Sequence, residues 1–278
     1  MEPDLNGREQ IELVCHVIDS QRIIPFFQPI ISLRDGTIFG YEALSRVEDP
    51  WRPISSDDLF TIASELGKGW QLEQICRTKI LNKVKKNEKK FKECKLFLNI
   101  SPQILVEEMF QAGFDKQYLS RYQIDPESVV FEITEKDSME EISCLNTALS
   151  KYKEQGFEIA IDDLGSCYSG LSLTCEVAPK YIKLDRSLIH DVSKNHSRYI
   201  LIKSLVEYAN SMNIKIIAEG IELEEDLETL IKLAGICITE QEKVIGILTR
   251  ERFQRLLSGR YGFSLHQYKR SPGKVYRN

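Results

Sequence analysis

The stretch Ile159–Leu171, "IAIDDLGSCYSGL", starts as an apolar strand, ends in two adjacent carboxylates, Asp162 and Asp163, and then turns over small residues. Two like charges at one strand end repel unless a cation or a proton lies between them, so packing alone gives no reason for the pair. The same plan recurs along the chain. Short β-branched or aromatic runs read as strands: "FFQPIISL" (26–33), "TIFGYE" (37–42), "KLFLNI" (95–100), "VVFEIT" (129–134), "FEIAID" (157–162), "KYIKL" (180–184) and "IKIIAE" (214–219). They alternate with stretches of helical period at Asp57–Leu66, Gln71–Lys85, Glu140–Gln155, Ser197–Met212 and Glu224–Leu233, and one helix, "REQIELVCHVIDSQR" (8–22), precedes them. Strands separated by helices pair in parallel. Seven of them in a chain of this length predict an α/β fold of the TIM-like (β/α) barrel type rather than a three-layer sandwich.

In such a barrel the C-terminal strand ends face one mouth, where active sites are built. The ends here carry Glu42, Asn99, Glu132, Asp162 with Asp163, Lys183 and Glu219, and Glu222 follows three residues on. Any one acid could be a helix cap or a solvated loop residue. Together they would crowd negative charge into one mouth at a cost of several kcal/mol unless cations neutralise it. Oxygen ligands without sulfur or imidazole select Mg²⁺ or Mn²⁺. The carboxylate count suggests two ions, with Asp162 placed to bridge them. Two ions ~3.5–4 Å apart suit in-line attack on a phosphodiester, so the chemistry points to phosphoester hydrolysis.

Composition narrows the partners. Hydrophobic residues at 42% and charged residues at 28% are ordinary for a globular protein, and the net charge of −5 argues against a general phosphate-neutralising surface, hence against a DNA or RNA polymer as partner. No apolar run approaches the ~20 residues of a membrane span, and "MEPDLNGREQ" lacks the basic-then-apolar layout of a signal peptide, so a cytoplasmic location without a membrane segment is expected. The seven cysteines are odd in number, scattered and never spaced Cys-x-x-Cys, and the four histidines are dispersed, which disfavours a disulfide framework and a zinc site.

Read with their neighbours, these residues resemble the EAL-domain family of bacterial cyclic di-GMP phosphodiesterases. The matching strings are "FFQPIISLRDGTIFGYEALSR", "LFLNIS", "VVFEITE", "IAIDDLGSCYSGL", "YIKLDRSLI" and "IIAEGIE", in the family's order over roughly Ile23 to Gly235. The resemblance implies a TIM-like barrel in which one strand, near the first, runs antiparallel to the rest. It further implies that Glu42, Asn99, Glu132 and Asp162 bind a first metal, and that Asp162, Asp163 and Glu219 bind a second, which Glu222 reaches through water. By the same resemblance Lys183 orients the attacking water or balances charge, Arg46 contacts phosphate, Gln28 belongs to the nucleotide pocket and Glu135 anchors the loop after Asp163. The implied reaction opens one phosphodiester of cyclic di-GMP to give linear pGpG, in a chain that tends to form a homodimer.

Two departures from the family pattern stand out. The loop has Leu164, Cys167 and Gly170 where the family usually has Phe, Gly and Ser or Asn, and a residue with a Cβ adopts positive φ only at a cost. The family's closing Gln-Gly-Tyr segment is missing; Gln241 lies near its place without the Gly-Tyr that should follow. The expected division is thus a leading helix (1–22), an EAL domain (23–235) and an atypical C-terminal segment (236–278) containing "VIGILTRERFQRLL", which resembles the end of a CBS domain. Either Val244–Leu248 fills the eighth strand slot with Arg250–Leu257 as its helix, or the barrel is left with an unpaired edge. Both departures motivate an alternative function, an impaired EAL domain that binds cyclic di-GMP or another protein without turnover.

Overall fold

The computed structural model describes residues 7–33, 36–48, 54–106, 114–134, 142–166, 170–236 and 244–248. Eight strands close a barrel in sequence order: β1 (Ile23–Ser32), β2 (Ile38–Val47), β3 (Lys95–Asn99), β4 (Val129–Thr134), β5 (Glu158–Leu164), β6 (Tyr181–Leu184), β7 (Lys215–Ile221) and β8 (Val244–Leu248). Strands β2 to β8 pair in parallel, while β1 runs antiparallel to both its neighbours. The backbone of β8 pairs with β7 from Ile216↔Val244 and with β1 from Ile30↔Ile247, so this atypical segment occupies the closing slot. The helix expected at Arg250–Leu257 lies outside the described residues.

The first two strands are longer than expected. β2 runs on to Val47 instead of stopping at Glu42, and β1 starts at Ile23 instead of Phe26. The reason is mutual: as an antiparallel pair they continue the ladder past the mouth, from Gln28↔Glu42 to Ile23↔Val47. The other strand and helix bounds differ from expectation by no more than a few residues at the ends, where helices fray and definitions disagree.

Helices cover the outside. α1 (Gly7–Ser20) buries Leu13, Val14, Val17 and Ile18 against Leu59 and Ala63 of α2 (Ser56–Glu65) and Leu72 and Cys76 of α3 (Gly69–Lys86). The helical spacing of those four residues makes one apolar stripe. Ser55 caps α2 by accepting from Asp58 N, and Asp57 and Asp58 complement the helix dipole. Further round lie α4 (Ile142–Glu154), α5 (Gly170–Val177), α6 (His196–Ser211) and α7 (Glu224–Ile236). The outward strand residues meet these helices in two large clusters, one centred on β3 to β5 and the other on β6 and β7.

Inside the barrel, the period of two along each strand sorts residues into layers. The middle layer is apolar: Ile30, Phe97, Val130, Ala160, Tyr181 and Ile217 pack together. A register shift between Ile30 and Ile31 leaves Phe39 unopposed on β2, and its ring faces Phe97 and Tyr181 at 6.4 and 6.0 Å between centroids. One layer below, toward the strand N-termini, Lys95 Nζ lies 2.6 Å from Glu158 Oε2, which also accepts a hydrogen bond from Tyr181 Oη at 2.7 Å. Lys215 Nζ stands 4.7 Å over the Phe39 ring. This plug separates the mouth from the far end of the barrel.

Candidate active site

The layer above the plug is built by the same period. Two residues on from Gly40, Phe97, Val130, Ala160, Tyr181 and Ile217 come Glu42, Asn99, Glu132, Asp162, Lys183 and Glu219. On antiparallel β1 the step is two residues back, from Ile30 to Gln28, which pairs directly with Glu42. Every one of these inward positions is polar, so six strand ends predicted from sequence to meet at one mouth do meet there, together with Gln28.

Lys183 is the hub. Its ammonium lies 2.7 Å from Glu132 Oε1, 2.8 Å from Glu219 Oε1, 3.0 Å from Asp162 Oδ1 and 3.6 Å from Glu42 Oε2, and the side chain is 1% exposed. Asn99 Nδ2 donates to Glu42 Oε1 at 3.4 Å, and Asp163 N donates to Asp162 Oδ1 at 2.8 Å. Asp163 holds φ at +58°, a left-handed conformation that aspartate tolerates better than most side chains; it lets two successive carboxylates approach one site.

One lysine cannot balance this many acids. Burial pushes the Glu132 carboxyl well above its ordinary range; Lys183 opposes that push, while Glu42 and Asp162 add to it. Burial likewise raises Glu219, to about 7, against the pull of Lys183 and with further push from Asp162 and Glu42. For Lys183 burial favours the neutral amine, but Glu132, Asp162, Glu42 and Glu219 outweigh it and hold the ammonium well above its usual range. In the metal-free cluster Lys183 is thus held as an ammonium and a hydrogen-bond donor.

The donor set fits hard divalent cations. Oxygen atoms of Asp162, Asp163 and Glu219 lie within 4.8 Å of one another, and the buried Glu132 Oε2 accepts no hydrogen bond. Among the described residues no cysteine or histidine joins the group, and the described cysteines Cys15, Cys76, Cys94, Cys144 and Cys175 are free thiols.

The other described sequence candidates, Glu222 and Arg46, make hydrogen bonds to further residues. Glu222 accepts a two-pronged ion pair from Arg186, at 3.2 Å from Nε and 2.8 Å from Nη2. Gly220 makes room for that arginine: it has φ +61°, and a Cβ there would meet Arg186 Cγ at 2.5 Å. Arg46 is exposed on the rim, its Nη1 donating to Ser56 Oγ at 2.8 Å and Ser45 O at 2.9 Å. Glu135, Cys167 and Gln241 lie outside the described residues; Leu164 and Gly170 are buried. Sequence reading missed Arg186, although "LDRS" follows Lys183 directly. It also missed a buried pair on α3, Glu73 and Arg77, whose i, i+4 spacing on a core-facing helix was a visible signal.

An eight-stranded barrel with one reversed strand and an acidic layer at its mouth is matched by the family description "EAL domain" over residues 13–236. The chain belongs to the EAL domain family. The match begins within α1, ten residues ahead of the boundary read from the motifs, and ends before β8. Among curated relatives, a protein named probable cyclic di-GMP phosphodiesterase PdeG from Escherichia coli is 29% identical over 228 residues, covering 79% of this chain and 43% of that protein. Bifunctional diguanylate cyclase/cyclic di-GMP phosphodiesterase MucR from Pseudomonas aeruginosa is 24% identical over 248 residues, covering 82% of this chain and 34% of that protein. The chain therefore spans less than half the length of these relatives. Among solved structures, the PaMucR phosphodiesterase in complex with c-di-GMP superposes with a TM-score of 0.72 at 22% identity, covering 87% of this chain and 96% of that one. The EAL domain protein from Listeria monocytogenes superposes at 0.70 and 19% identity, covering 92% and 99%. These likenesses establish the EAL barrel fold. Among the described residues no helix is long and apolar enough to cross a membrane.

Proposed function

We propose that this EAL domain hydrolyses cyclic di-GMP to linear pGpG with two Mg²⁺ or Mn²⁺ ions. The observation that carries the reading is the layer of carboxylates around Lys183, too acidic for one ammonium and built wholly of oxygen donors. Glu42, Asn99, Glu132 and Asp162 would hold one ion, and Asp162, Asp163 and Glu219 the other, with Asp162 shared. The names of the curated relatives and of the c-di-GMP complex supply the substrate.

Bound divalent cations supply Lewis acidity to the attacking water and offset charge on the phosphoryl oxygens. The protein's own groups position the rest. Lys183 donates a hydrogen bond that orients the attacking water, and its ammonium offsets the surrounding acids. Arg46 offers a planar fork of donors to a phosphate at the rim. Gln28, beside Glu42, would face the nucleotide, and Glu222, held by Arg186, would reach the second ion through water. Glu135 anchors the loop that follows Asp163. The water oxygen bonds to phosphorus, one ester P–O bond breaks, and the proton passes to the departing sugar oxygen. A homodimer and a cytoplasmic location complete the proposal.

The test incubates purified protein with cyclic di-GMP and either ion and follows the nucleotides by chromatography. Metal-dependent pGpG is expected, absent from Glu42→Ala. That variant should melt, without metal, at nearly the wild-type temperature, because removing one crowded carboxylate relieves repulsion. Tight nucleotide binding without product would overturn hydrolysis in favour of a binding module.

A further inference from the structure

Helix α3 turns a charged pair toward the barrel. Glu73 Oε2 lies 2.9 Å from Arg77 Nη2, with side-chain exposures of 5% and 3%. The guanidinium carbon sits 4.9 and 5.7 Å from the ring centroids of Phe114 and Phe131. Arg77 Nη2 also donates to the main-chain carbonyl of Asn99 at 3.2 Å. Asn99 is the last residue of β3, and its side chain donates to Glu42. Phe131 precedes Glu132 on β4, and Ile100 N donates to Glu132 O at 3.0 Å, tying the two strand ends together. One buried cation thus touches both strands that deliver Asn99 and Glu132.

Stability alone does not explain the pair. Burial pushes the Glu73 carboxyl up against the pull of Arg77. Buried ion pairs are often matched or bettered in stability by apolar residues of similar volume. Apolar residues, however, cannot donate to a strand-end carbonyl.

We propose that Glu73 and Arg77 form a positioning pair for the metal centre: Arg77, oriented by Glu73, fixes the ends of β3 and β4 and thereby the places of the Asn99 and Glu132 side-chain oxygens. This rests on the metal-centre reading above, and neither residue touches the reacting atoms. Outer groups of this kind commonly change metal affinity by about 10–100-fold when removed.

The test titrates Mn²⁺ into metal-free protein, by calorimetry and by the electron paramagnetic resonance of the bound ion, for wild type and for Glu73→Leu/Arg77→Met, which removes both charges together. The double variant should melt within about 4 °C of wild type, a shift worth ~1 kcal/mol in a domain of this size, yet bind Mn²⁺ about tenfold or more weakly. Wild-type affinity in the folded double variant overturns the proposal, as does a melting loss large enough to account for the weaker binding. If the double variant does not fold, Arg77→Lys decides: it keeps a charge opposite Glu73 but loses the planar guanidinium that lies against the Phe114 and Phe131 rings and sets Nη2 between Glu73 and the Asn99 carbonyl. Weaker Mn²⁺ binding in folded Arg77→Lys supports the proposal, and normal binding or failure to fold overturns it. A wild-type chain that takes up no Mn²⁺ overturns the metal-centre reading itself, and this proposal with it.

Discussion

The two ends of the barrel use the same residue types to opposite effect. At the far end Lys95 meets Glu158, which Tyr181 also hydrogen-bonds, and Lys215 lies over Phe39; charge there is balanced or satisfied by a ring. At the mouth a single lysine faces Glu42, Glu132, Asp162 and Glu219, with Asp163 alongside. The apolar layer between them keeps the ends apart. The far end is complete as folded. Among the described residues the mouth holds an excess of carboxylates over cations, which protons or further cations can offset, and this difference separates a closing plug from a binding site.

The sharpest way to break the comparison is to remove the hub. Lys183→Met strips the cation from a buried acidic cluster, and losing one partner of a buried pair costs about 3–5 kcal/mol. Turnover should vanish, the metal-free melting temperature should fall, and added Mn²⁺ should restore more of it than in wild type. If the metal-free melt is unchanged, the acids are not held together by Lys183.

A smaller effect follows from Glu219, raised to about 7 chiefly by burial. Between its unfolded value near 4.5 and about 7 the folded chain binds a proton that the unfolded chain has released. Its contribution is therefore full below the lower value and is lost as pH rises through the upper one. Glu219→Gln, which imitates the protonated acid, should gain stability relative to metal-free wild type as pH climbs through this window. Parallel melting curves for the two proteins would contradict the assignment.

The smallest effect belongs to the far end. Tyr181→Phe deletes one hydrogen bond to a carboxylate, worth about 1.5–3 kcal/mol, and should lower the melting temperature without changing turnover. A loss of activity at constant Mn²⁺ affinity would mean that the two ends are coupled through the apolar layer.

Most of the mouth was legible because it obeys a local rule: an apolar strand ending in an acid, repeated, needs only the period of two to converge. Ser45 and Arg46 were harder to place, because the pattern of "EALSRV" reads as strand only once β1 pairs with it in reverse. The Arg186–Glu222 pair and the contact from Arg77 to Asn99 join residues 36 and 22 positions apart. No periodicity encodes such contacts; they depend on how helices settle on the barrel. For β8, "VIGIL" carried the strand character but not its register, which its neighbours impose.

The reversed first strand also fixes where the polypeptide enters. In an all-parallel barrel the first strand would start at the far end. Here α1 hands over to Ile23 at the rim, opposite Val47, and β1 descends past Gln28, which lies beside Glu42. A pull or twist on that leading helix has one strand to travel before it reaches the acids. From the end of that helix to the layer of acids the path is a single strand.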